Sequence, residues 1–154
     1  MIKTAVFSPD RIYRYALWRV WDERKPVCMF IGLNPSTADE NIDDPTVRRC
    51  KSFAGNWGYG GLCMTNIFAY RSTNPHNLYN CEPIGVENND WLVYLAMYSG
   101  IVVAAWGDWG KLLDRYKEVV KLIPSLQCLG TTKKGQPRHP LYLSKKTKLE
   151  QYAI

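Results

Sequence analysis

Seven consecutive residues, Val27, Cys28, Met29, Phe30, Ile31, Gly32 and Leu33, carry neither charge nor a polar side chain before Asn34-Pro35 breaks the run. A strand buried on both faces reads this way, and such strands belong to parallel sheets. Further apolar runs follow at 62–68, 101–106 and 126–129. Helical segments separate them. Asp43-Asp44-Pro45 supplies an N-cap and a first-turn proline. Behind it Val47, Cys50, Phe53 and Ala54 form an apolar stripe, ending at 56–61. A second helix is expected over 88–99, stopped by Gly100. A third runs from an Asp108 cap to about 123, before Pro124. Strands alternating with helices predict an α/β fold with right-handed crossovers: one three-layer domain over 1–154, around a central, mainly parallel four-stranded sheet. Residues 11–21 place Tyr13, Tyr15, Leu17 and Trp21 on one parity, as a strand does; a short helix is the other reading. As a strand it would form an N-terminal antiparallel edge and a hairpin with 27–31. Residues 71–87 read as loop.

Composition narrows the function classes. The chain has 154 residues and a net charge of +6, with a pI near 9.1. Its basic clusters are Lys133, Lys134, Arg138, Lys145, Lys146 and Lys148, and Arg48, Arg49 and Lys51. They suit phosphates, or simply form a solvated face. Six Trp and ten Tyr serve core packing or a stacking surface for bases. The five Cys are odd in number and include no C-x-x-C pair. That argues against a disulfide framework and against a zinc or iron–sulfur site. Cys28, Cys63 and Cys128 sit in apolar runs as small hydrophobes. No dinucleotide-binding, P-loop, zincin or hydrolase-elbow motif occurs, so no cofactor and no metal are expected. No apolar run approaches ~20 residues and no signal-peptide core is visible, so a cytoplasmic protein without a membrane partner is expected.

In open α/β sheets, ligands bind beyond the carboxyl ends of the strands. Those ends carry Asn34, Asn66, Trp106-Gly107 and His139. Pro35 biases Asn34 toward extended backbone and holds it at a strand tip. There its amide can orient a water or a base edge; the alternative is that it only organises the turn. Asn66, inside an apolar strand, must find hydrogen bonds, and a bidentate amide matches a base edge. His139 precedes Pro140 and can donate to a base carbonyl; a surface-loop His is the alternative. One of Asp39, Glu40, Asp43 and Asp44 could bind a metal, act as a general base or hold a ribose hydroxyl; helix capping is the plainer account of Asp43 or Asp44, and Asp39, which is freer, is the candidate base. Phe68, Tyr70 and Trp106 are the expected stacking residues. Ser36, Thr37, Arg48, Arg71, Lys133, Lys134 and Arg138 are the expected phosphate or nucleic-acid contacts.

Four segments in order resemble the uracil-DNA glycosylase superfamily: Gly32-Leu33-Asn34-Pro35, Met64-Thr65-Asn66, Val102-Val103-Ala104-Ala105-Trp106-Gly107 and His139-Pro140-Leu141-Tyr142. The resemblance implies a glycosylase-like fold in which Asn34 positions a water. It implies that Asn66 and His139 hold the base, and that Leu141 and Tyr142 enter the duplex. The third motif lacks the Ser-Pro that the superfamily places after the His. The first offers Asn34 where the most efficient uracil enzymes have Asp. Leu33-Asn34-Pro35-Ser36-Thr37-Ala38-Asp39, Asp44-Pro45-Thr46-Val47-Arg48-Arg49 and Pro137-Arg138-His139-Pro140-Leu141-Tyr142 resemble an uncharacterised bacterial and phage family, domain of unknown function 1643. That family carries no assigned activity.

Together these readings predict a nucleobase-recognising protein that hydrolyses an N-glycosidic bond in DNA or a nucleotide. Two others stand beside it. One is a non-catalytic nucleotide or nucleic-acid binding module. The other is a phage-type inhibitor or adaptor that binds a protein partner through an aromatic face.

Overall fold

The computed structural model describes residues 1–153; residue 154 of the predicted domain lies outside them. Among the described residues there are seven strands, three α-helices and two 3-10 segments. The strands are β1 (Ile2–Phe7), β2 (Arg14–Val20), β3 (Val27–Gly32), β4 (Gly61–Asn66), β5 (Ile101–Ala104), β6 (Gln127–Cys128) and β7 (Glu150–Gln151). The helices are α1 (Pro45–Asn56), α2 (Asn88–Tyr98) and α3 (Arg115–Leu122), and the 3-10 segments span Pro75–Asn80 and Asp108–Asp114. They build an α/β fold on one mixed sheet of order β1-β2-β4-β3-β5-β6-β7.

The four apolar runs form the parallel part, β4-β3-β5-β6. Their side chains are almost entirely buried because helices cover both faces. On one face α1 packs Val47, Cys50, Phe53 and Ala54 against Cys28, Phe30, Leu62 and Val103. On the other, Leu92 and Leu95 of α2 and Val119 of α3 meet Met29, Ile31, Val102 and Ala104. Asp44 caps α1, its Oδ1 accepting from the Val47 N–H at 2.8 Å.

Several expectations need correction, beginning with the sheet, which has seven strands rather than four with one added edge strand. Residues 11–21 contribute β2, yet β2 makes no hairpin with β3, because both edges of β3 are taken by the parallel partners β4 and β5. It pairs antiparallel with β4 instead. Nor is it the edge strand: β1 lies outside it, and β7 closes the far side against β6. The helix expected from Asp108 starts only at Arg115. Non-helical backbone at Leu112 and Leu113 separates it from the 3-10 segment, and Asp108 provides no cap hydrogen bond. Residues 75–80 of the expected loop form the other 3-10 segment.

Four of the five free cysteines, Cys28, Cys50, Cys63 and Cys128, are buried, and Cys81 is half-buried. No described helix is long and apolar enough to cross a membrane.

Candidate ligand cavity at the sheet's switch point

The chain leaves β3 for β4 on one side through α1, then returns past β3 to β5 through α2. The order of strands therefore reverses at β3, and a crevice opens at its carboxyl end. A cavity of about 350 Å³ occupies this position. Ligand pockets of small molecules run from about 300 to 1,000 Å³. The end of β3 and the following turn supply Gly32, Leu33, Asn34, Pro35 and Ser36, and β4 supplies Met64 and Asn66. The start of α1 adds Asp44, Thr46 and Val47, and the stretch after β5 adds Trp106, Gly107, Asp108 and Trp109. Arg14 of β2, Ser72, Thr73 and His139 complete the wall. Asn34, Asn66, Trp106, His139 and Ser36 thus share one cavity, although more than a hundred positions separate Asn34 from His139 in the chain.

Asn34 is locked by its backbone surroundings. Its Nδ2 donates to the carbonyls of Ser72 at 2.9 Å, Pro35 at 3.1 Å and Tyr70 at 3.4 Å. It organises the turn and also presents an oriented carbonyl oxygen. Asn66 is 3 % exposed, and its Nδ2 has no hydrogen-bond partner among the described residues. A buried donor of this kind costs about 1–3 kcal/mol unless a ligand or water meets it. His139 reaches the cavity because Gly107, at φ +70°, donates its N–H to the Pro137 carbonyl at 2.9 Å. Glycine adopts that backbone without the strain a Cβ would bring. The His139 Nδ1 accepts from the Leu141 N–H at 3.1 Å, so the neutral ring carries its proton on Nε2. Desolvation pushes the His139 pKa down, and the Asp44 carboxylate opposes it. A neutral donor at the mouth follows.

Other expected residues lie elsewhere. Asp39 does not line the cavity; its carboxylate accepts from the Asn41 and Ile42 N–H groups, both at 2.8 Å. Those bonds hold its pKa below the usual range. Phe68 is wholly buried in the core under α2 and α3. Trp106 is 1 % exposed. Its Nε1 donates to Gln136 Oε1 at 2.9 Å, and its ring packs edge-on against Tyr152. It walls the cavity but leaves almost no free face for stacking. Tyr70 packs edge-on against Tyr13 instead. Arg48 is exposed and donates to the Asp43 carbonyl. Arg71 stacks over Phe7 and donates to the Arg11 carbonyl. Thr37, Lys133 and Arg138 are exposed outside the cavity, Arg138 donating to the Thr131 carbonyl. Lys134 lines an adjoining groove with Lys111, Tyr79 and Trp109. Leu141 is half-buried, whereas Tyr142 is 93 % exposed on left-handed backbone at φ +72°.

Sequence reasoning missed Arg14 and Trp109 and favoured capping over chemistry for Asp44. Arg14 reaches this face through a bulge. Val6 pairs with Ala16 but Phe7 with Arg14, so Tyr15 is the extra residue. Strict alternation would send Arg14 to the face opposite Leu17 and Arg19; the bulge returns it to theirs. Trp109 meets His76 edge-on at 4.9 Å and Tyr79 at 5.9 Å, an aromatic rim built by both 3-10 segments. Among the described residues no three His, Cys, Asp or Glu side chains come together as a metal would require.

No curated protein and no solved structure matches this chain, so the comparisons lend no support to the glycosylase likeness. One family model does match, described as a protein of unknown function, DUF1643, over residues 14–141. That span runs from the buried arginine of β2 to the loop carrying His139 and holds every cavity residue named above: the chain belongs to the DUF1643 family.

Proposed function

We propose that the cavity takes a nucleobase and that the protein hydrolyses an N-glycosidic bond, in DNA or in a free nucleotide. The observation that carries the reading is the meeting of Asn34, Asn66 and His139 around one space at the sheet's switch point. Asn66, with its unpartnered Nδ2, reads the base edge. His139 donates from Nε2 to a base oxygen. Asn34 is held rigid through its Nδ2, and its Oδ1 orients a water at the anomeric carbon. Of the two carboxylates that line the cavity, Asp44 is buried and Asp108 exposed, so Asp44 takes the place of Asp39 as the general base. The water oxygen bonds to the anomeric carbon as the carbon–nitrogen bond breaks. The base departs with that electron pair, and a water proton passes to Asp44. Trp109 offers a half-buried ring at the rim. Lys134, in the adjoining groove, would take a phosphate of an extruded nucleotide's neighbour. The ordered segments resembling the uracil-DNA glycosylases agree with this assignment.

The test is an assay on single- and double-stranded DNA carrying uracil, mismatched or modified bases, and on free nucleotides. Abasic or ribosyl product that disappears with Asn34→Ala and Asp44→Asn supports the reading. No product from folded wild-type protein sinks it. A second reading, binding without hydrolysis, is favoured by the helix-capping bond that already engages Asp44. Nucleotides that raise the Tm without turnover would select it.

A further inference from the structure

Arg14 is 2 % exposed and lines the cavity. Its Nη1 donates to the Ala38 carbonyl at 3.0 Å, and its Nε has no acceptor among the described residues. None of the six ion pairs among those residues includes it. Burial pulls its pKa down to about 10, with Asp44 acting in the opposite direction. At neutral pH the guanidinium therefore stays charged. The Asp44 carboxylate forms no ion pair with it and gives Oδ1 to the helix cap. A buried cation without a partner destabilises the fold. Asn66, whose Nδ2 is a second buried donor without a partner, lines the same cavity.

Two orphaned donors on residues that share one cavity complement a negatively charged group with two acceptors. We propose that Arg14 and Asn66 form an anion-recognising floor, which takes a compact anionic acceptor group of the ligand: a phosphate, or the edge of an anionic heterocycle. The inference rests on the preceding reading of this cavity as the ligand site, but not on hydrolysis. Where hydrolysis occurs, Arg14 stands with His139 in stabilising the charge of the departing base.

The experiment uses the full chain, thermal melts and titration calorimetry. The probes are inorganic phosphate, urate as an anionic planar heterocycle, and uridine as a neutral control. Phosphate or urate is expected to raise the wild-type Tm by several degrees, and which of them does so identifies the source of the charge. Arg14→Met should weaken that binding by about tenfold or more, as loss of a charge-assisted bond does. Its ligand-free Tm should match or exceed the wild type, because an uncompensated buried charge has gone. Asn66→Asp supplies a built-in counter-charge and should also lose the anion response; it carries the test if Arg14→Met does not fold. Anions that leave the wild-type Tm unmoved, or that bind both variants as well as wild type, overturn the proposal. Uridine binding equally to wild type and Arg14→Met without any anion response overturns it too, while nucleobase recognition survives. An Arg14-dependent anion response with neither base binding nor turnover supports it and removes the preceding reading instead.

Discussion

Gly32 stands against the Asn66 amide so closely that a Cβ on residue 32 would lie 2.8 Å from Asn66 Oδ1. The two residues are partners across the parallel pair of β3 and β4. The missing side chain of one is what leaves room for the amide of the other. Gly32→Ala should therefore displace Asn66 and cost about 1–3 kcal/mol of stability through overpacking. Ligand affinity should fall together with stability. Urea denaturation and calorimetry on the variant check this, and unchanged affinity would show that Asn66 reads nothing.

Asn34 combines a structural and a chemical task. Its Nδ2 ties three carbonyls from two loops. Asn34→Ala should cost about 1–3 kcal/mol by leaving those carbonyls short of a donor. Asn34→Asp should cost at least as much, since a carboxylate brings negative charge to the same carbonyls. The Asp version should thus be less stable and no faster, despite the stronger base. Chemical denaturation and initial rates of both variants decide it.

The depressed pKa of His139 has a definite sign. His139 is exposed, yet partial desolvation at the cavity favours its neutral ring, so the unfolded chain binds the proton more readily. The associated stability is present above the ordinary histidine value of about 6.5 and is lost as pH falls through the lower folded value. His139→Gln removes this component. The wild-type Tm should fall more steeply than the variant's across that acidic window. Parallel melting curves measured from neutral pH downward test the difference.

Asp43 bridges the sheet to the loop that shapes the cavity. Its Oδ1 accepts from Arg19 Nε at 2.7 Å and its Oδ2 from Lys51 at 2.9 Å. Arg19 is wholly buried and also donates to the Asp39 and Ile42 carbonyls. Asp43→Ala strands that buried guanidinium and should cost about 3–5 kcal/mol. Arg19→Met, which removes the charge itself, should cost less. Unfolding free energies of the two variants provide the comparison.

Much of the parallel core was legible. The runs that became β3, β4 and β5 are apolar on both parities because helices cover both faces, and that pattern needs no partner information to be read. The α1 cap was legible for the same local reason: Asp44 binds an N–H only three residues away. The strand-end polar residues were legible because a polar side chain inside an apolar run stands out. β1 was not, since its exposed first half carries no alternation to mark it. The stacking role expected of Phe68 failed because an aromatic near a strand end reads alike whether it faces a cavity or a core.

What the sequence determined alone is local and periodic: four strands buried on both sides, the helices between them, and the polar residues at the strand ends. The tertiary structure decided which groups meet. One extra residue in β2 turns Arg14 into the cavity, and two backbone N–H groups claim Asp39 while Asp44 faces inward. Burial then leaves Asn66 and Arg14 with unpaired donors. Strand alternation is set by neighbours a few positions apart, whereas a bulge, a cavity and an orphaned donor arise only from contacts between distant segments.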